Sequence, residues 1–185
     1  MSLTYRTRRL LTTSLLATSA VLFSSALLSA QSKPQVREGF WITAGIGGGT
    51  FGCDDCDDRE GGGTAQVALG GTLSPRLQLG ASINVWSKEV DDVTFTQSGV
   101  MALVKFYPSA TGGFFVQGGL GIGRLEASSG NITVSEDGTS AILGLGYDWR
   151  VGRNFSITPF ANAVAGSFDG NGANFNQLGI SLTWH

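Results

Sequence analysis

The chain has 185 residues and a formal net charge of −2. Beyond Ala30 it holds nine Lys and Arg against fourteen Asp and Glu, and that acidic balance argues against nucleic acid as a partner. Gly is abundant at 28 residues while Pro is only four, which is not a Pro-rich disordered composition, and the length beyond Ala30 is that of one domain without repeats or linkers.

Arg6, Arg8 and Arg9 precede an uncharged run from Leu10 to Leu28, followed by small residues around Ala30 and Ser32. A basic n-region, an apolar h-region and a small-residue exit predict a secretory signal peptide over residues 1–30, cleaved after Ala30 or Ser32. Residues 31–185 then form a single domain. Arg8-Arg9 resembles a twin-arginine signal in spelling, but its flanking residues fit the ordinary export route better.

From Phe40 the chain alternates with a period of two, the signature of a strand with two unlike faces. Phe40, Ile42, Ala44 and Ile46 oppose Trp41, Thr43, Gly45, Gly47 and Gly49, and an acidic, Gly-rich loop follows from Gly52 to Gly63. The second strand, Thr64 to Thr72, ends in the turn Leu73-Ser74-Pro75-Arg76, where Pro suits a turn position. In the third, Leu77, Leu79, Ala81, Ile83 and Val85 alternate with Gln78, Gly80, Ser82, Asn84 and Trp86, long enough to cross a bilayer at a tilt. Ser87 to Asp92 reads as a charged loop.

Strand four sets Val100, Ala102, Val104 and Phe106 against Gly99, Met101, Leu103, Lys105 and Tyr107, before a turn from Pro108 to Gly113. Strand five sets Phe114, Val116, Gly118, Leu120 and Ile122 against Phe115, Gln117, Gly119, Gly121 and Gly123. A polar loop from about Glu126 to Gly138 leads to strand six, where Ala141, Leu143, Leu145, Tyr147 and Trp149 oppose Ile142, Gly144, Gly146, Asp148 and Arg150. After the turn Val151 to Asn154, strand seven runs from Phe155 to about Gly166 with only the mildly apolar Ala161, Ala163 and Ala165 on one face and Pro159 within it. A last loop, Ser167 to Ala173, precedes strand eight, in which Leu178, Ile180, Leu182 and Trp184 share a face.

One face of each strand is free of charge through its centre, and the other is small, polar or glycine-rich. A soluble barrel would instead carry Lys and Glu on its outer face and large side chains within. Short connections alternate with long ones, and Phe40, Phe106, Phe114, Trp149, Phe155 and Trp184 all stand at the short-turn ends, as an aromatic girdle would. The pattern predicts an all-β fold, an eight-stranded antiparallel up-and-down transmembrane β-barrel in a cell outer membrane. The chain resembles the small outer-membrane β-barrel family of OmpX-like and OmpA-transmembrane-like proteins, on the signal peptide, the eight alternating segments, the short turns and the terminal Leu-x-Ile-x-Leu-x-Trp. The resemblance implies that Leu178, Ile180, Leu182 and Trp184 form the signal read by the barrel-assembly machinery, with His185 an added residue after the aromatic.

Few residues offer chemistry. His185 is the single histidine, so a Ser-His-Asp arrangement could be built only around the chain end, and no enzymatic activity, cofactor or metal is expected. Gly47-Gly48-Gly49-Thr50-Phe51-Gly52 spells G-x-G-x-x-G without a following helix and reads as a glycine-rich strand end. Lys105, Asp148 and Arg150 fall on inward faces; an interior ion pair is preferred to a charged gate or proton path, because a charge in a narrow barrel needs a partner. Cys53 and Cys56 form a C-x-x-C without further soft ligands or a helix, and an oxidising periplasm favours a local disulfide. The long loops hold twelve acids and three bases, a field suited to divalent cations or a cationic surface partner. Two roles follow: a structural or surface-interaction barrel with a filled interior, or a narrow channel or carrier for small or apolar solutes past Trp41, Trp86, Met101 and Leu103.

Overall fold

The computed structural model describes residues 37–185, apart from Asp55, Asp57 and Asn131. The expected signal peptide and its cleavage point lie outside the described residues.

Strands β1 (Phe40–Cys53), β2 (Glu60–Ser74), β3 (Leu77–Val90), β4 (Val93–Phe106), β5 (Phe114–Ser129), β6 (Ile132–Tyr147), β7 (Trp149–Arg150), β8 (Phe155–Phe168) and β9 (Asn171–Trp184) form one antiparallel sheet. The two residues of β7 continue β6 past Asp148, so the wall has eight staves. β9 pairs with both β8 and β1, and β6 pairs with β8, which closes the sheet into a barrel without a free edge. Closure is what lipid demands, since a backbone group left unpaired there has no water to bond.

Following paired residues around the wall, the row leaves β8 at Ile157 and passes through Leu182, Ala44, Val67, Ile83, Val100, Ile122 and Thr139 to return at Ser167. The offset is ten residues, from 157 to 167. With eight staves, that stagger tilts the strands by ~40° from the barrel axis.

The alternation sorts the faces as expected. Ile46, Leu120, Leu143 and Leu178 are each more than 70% exposed on the outer wall, while Trp41, Trp86, Met101, Leu103 and Phe115 are buried inside. An apolar face that encircles the molecule is incompatible with water and fits lipid. Glycines make room for the large inward rings. A Cβ on Gly80 would lie 2.9 Å from the Trp41 ring, one on Gly146 2.5 Å from Phe115, and one on Gly179 2.8 Å from Phe160.

The predicted long loops are different in kind. β5 and β6 stay paired to Ser129 and Ile132, across the span read as loop, and β3 and β4 stay paired to Val90 and Val93. β8 and β9 likewise stay paired to Phe168 and Asn171, and two of these connections are tight: Asp91-Asp92 between β3 and β4 with φ of 48° and 63°, and Asp169-Gly170 between β8 and β9 with φ of 43° and 89°, a pattern that matches strand twist in two-residue hairpins. These hairpin ends lack an apolar outer face because they stand in water, and hydropathy alone therefore reads them as loop. The barrel thus has a girdle end, where both termini of the barrel and its aromatic ring lie, and a hairpin end that extends past the lipid band.

Candidate functional site

The barrel interior is built in layers. At the girdle end, Arg37 is buried just before β1, and its guanidinium donates to the carbonyls of Pro75 (3.4 Å), Ala110 (3.2 Å) and Gly112 (2.5 Å). It also lies 3.5 Å from the centroid of the Tyr107 ring. One side chain therefore ties the β2–β3 turn to the β4–β5 connection across the mouth.

Above it, Asp148 accepts hydrogen bonds from the Tyr107 hydroxyl (2.9 Å) and Thr158 Oγ1 (2.8 Å), and the hydroxyls of Thr158, Thr183 and Thr43 continue the chain at 3.1 and 2.8 Å. Lys105 is buried with its ammonium 4.3 Å from the Trp41 ring centroid and 5.0 Å from that of Phe115. Arg150 is half-buried at the mouth and donates to the Arg153 carbonyl at 2.8 Å. The three charged residues named from the sequence thus share the girdle-end layer, where Lys105 meets aromatic rings, Asp148 meets hydroxyls and Arg150 meets a backbone carbonyl. Such contacts satisfy a buried charge through cation–π attraction and charge-assisted hydrogen bonds.

At mid-barrel Asn162 is a hub. Its amide nitrogen donates to Gln66 (3.0 Å) and Gln177 (3.1 Å), and its carbonyl accepts from Gln117 (2.7 Å), linking β8 to β2, β9 and β5. The sequence reading missed this network. Its members are all inward by alternation, but which of them meet across the lumen depends on the stagger. The space left among Thr43, Gln66, Asn84, Lys105 and Gln117 is about 10 Å³, barely room for one water.

His185 follows β9. Its Nε2 lies 3.1 Å from Ser156 Oγ, its backbone N–H bonds Asn154, and its Nδ1 has no partner among the described residues. Among the described residues no carboxylate hydrogen-bonds the imidazole, and Ser156 is fully buried. Burial pushes the imidazole down to about 4.

Leu178, Ile180, Leu182 and Trp184 all project from the outer wall of β9, the strand that seals the barrel. Cys53 and Cys56 are joined in a disulfide at the tip of β1, beside Asp54, which accepts the Gly172 N–H at 2.8 Å. Among the described residues no group of three or more His, Cys, Asp or Glu converges as metal ligands.

The architecture is similar to solved structures. Neisserial surface protein A superposes with a TM-score of 0.59 at 13% identity, over 81% of this chain and 99% of its own. The attachment invasion locus protein Ail of Yersinia pestis does so with a TM-score of 0.56 at 18% identity, over 80% of this chain and all of its own, and Ail has also been solved with the heparin analogue sucrose octasulfate. No curated protein sequence matches the chain. A family model described as the outer membrane protein beta-barrel domain matches residues 17–185, and with the closed eight-stave barrel and its lipid-facing wall this chain belongs to that family and resides in the cell outer membrane.

Proposed function

We propose that the protein is a sealed barrel that acts non-catalytically at the cell surface, through its hairpin end, rather than by passing solutes through its interior. The observation that carries this reading is the filled lumen, with about 10 Å³ free at mid-barrel. Arg37 closes the girdle-end mouth beneath it. The residues that could line a channel for small or apolar solutes, Trp41, Trp86, Met101 and Leu103, are instead buried together in one packed cluster.

The hairpin end faces outward in this reading, since outer-membrane barrels keep their termini on the periplasmic side. That end carries Glu60, Glu89, Asp91, Asp92, Glu126, Glu136, Asp137 and Asp169, against Arg59, Lys88 and Arg124. Ail binds a polyanionic heparin analogue, but an acidic surface favours divalent cations or a cationic partner. The expected leader on residues 1–30 would deliver the chain to the periplasm, and the outer face of β9 would present it to the assembly machinery.

Electrical recording of the purified protein in planar bilayers tests the proposal. No conductance above the bare bilayer is expected, and steady resolvable single-channel steps would overturn it.

A further inference from the structure

Above the filled lumen, the barrel opens into a cavity of about 570 Å³ between the outer parts of β1 to β6. Phe51, Trp86, Val90, Phe95, Leu125 and Val134 line it. The Phe51 and Trp86 rings form a stacked floor, with centroids 4.9 Å apart and planes 24° from parallel. Trp86 is fixed there: its Nε1 donates to the Gly49 carbonyl at 3.4 Å, and it lies so close over Gly62 that a Cβ would come within 2.6 Å of the ring. The Cys53–Cys56 disulfide forms part of the wall. A rigid apolar cup of this size is in the range of small-molecule sites, and leaving it to water forgoes the burial of several large side chains.

The charges around the cup define the occupant. Lys88 is paired with Glu60, and that pair is neutral as a unit. Glu136 stands opposite Leu125 in the β5–β6 register, on the inward face of β6, and has no hydrogen-bond or ion-pair partner among the described residues. Glu126, on the outer face of β5 at the rim, accepts only from Ser128 Oγ at 3.3 Å, so the cup carries two carboxylates without a cation partner among the described residues, of which Glu136 is the one on the inward face. Asp91 and Asp92, at the β3–β4 turn, add to the negative field at the same end. Apolar walls take a hydrocarbon or ring, aromatic faces and a carboxylate take a cation, and the surrounding acid repels anions.

We propose that this cup is a binding site for an amphiphilic organic monocation, an ammonium group on an aromatic or aliphatic body, with Glu136 receiving the charge and the Phe51–Trp86 floor receiving the apolar part. The inference does not rest on the sealed-barrel reading, because a conductance result leaves the cup unchanged.

The test is isothermal titration of the full protein in nanodiscs of zwitterionic phospholipid, with empty nanodiscs subtracted, using 1-naphthylmethylamine, 1-naphthylmethanol and 1-naphthylacetate. The amine should bind saturably with one site per barrel, about fivefold tighter than the alcohol, as an exposed charge pair allows, with the carboxylate weakest. Glu136→Gln should reduce the preference for amine over alcohol while leaving the alcohol's affinity unchanged. Leu125→Asn with Phe95→Ser should remove binding of both, in protein whose heat-modifiable gel mobility shows a folded barrel; Glu136→Gln, a near-isosteric change at an exposed position, serves if that double variant does not fold. Equal binding of all three compounds, preference for the carboxylate, absence of saturable binding above empty nanodiscs, or an unchanged amine preference in Glu136→Gln would each overturn the proposal.

Discussion

Leu120→Arg tests where lipid meets the wall. Leu120 is 73% exposed on β5, flanked in register by Ala102 and Ala141, which offer no bulk to shelter a new charge. It stands six residues beyond the girdle residue Phe114, which is about 20 Å along the strand and, at a ~40° tilt, ~15 Å above the girdle. The apolar band of such barrels is about 25 Å tall, so Leu120 sits near its middle, where arginine costs about 2–4 kcal/mol. Leu79 lies two residues from Leu77, which pairs with the girdle residue Phe106, so Leu79→Arg should cost only about 0–1 kcal/mol. Leu120→Ala separates lost apolar area from charge. Urea titration of folding into phospholipid vesicles, followed by tryptophan fluorescence, measures all three variants against the parent. Equal costs for arginine at 120 and 79, or a Leu120→Arg cost no larger than that of Leu120→Ala, would refute the placement of the membrane on this wall.

Gly80→Ser looks mild on pattern alone, but its Cβ would come 2.1 Å from the Leu69 carbonyl and 2.9 Å from the Trp41 ring, so a loss of about 1–3 kcal/mol is expected in the same titration. Arg37→Met removes the donors to three carbonyls at the girdle-end mouth and should cost about 2–3 kcal/mol while exposing the β4–β5 connection to protease; unchanged stability would mean the clip is dispensable. The intact protein should show no free thiol, and replacing Cys53 and Cys56 by serine should leave barrel melting nearly unchanged, because the ring they close is small. The folded His185 imidazole titrates near 4, below its ordinary 6.5, so the unfolded chain takes up a proton first as pH falls. The stability it contributes is complete above about 6.5 and is lost toward 4, at most ~3 kcal/mol, and His185→Asn should flatten the slope of melting temperature between pH 7 and 5.5.

Period-two alternation determined which face of each strand meets lipid, because a spanning strand has only two faces and a slip of one residue would drive its polar set into hydrocarbon. That constraint is local, and so Trp41, Met101 and Phe115 could be placed inside, and Ile46, Leu120 and Trp184 outside, without any knowledge of neighbours. Even strand seven, weakened by Pro159 and its alanines, keeps Ser156, Thr158, Phe160, Asn162 and Val164 inward. The stagger between strands is not local. Alternation fixes a residue's face but leaves its partner free by any even number of positions, and the ten-residue offset follows only when all eight staves close. That offset brings Asn162 to Gln66 and Gln117 across the lumen and sets Lys105 over Trp41, whereas Gln177 meets Asn162 as its direct partner in the β8–β9 hairpin. The cup was hidden for a second reason: Phe51, Phe95, Leu125 and Val134 lie in stretches whose outer face is polar, since beyond the lipid band the same strands need an apolar side only where they face one another.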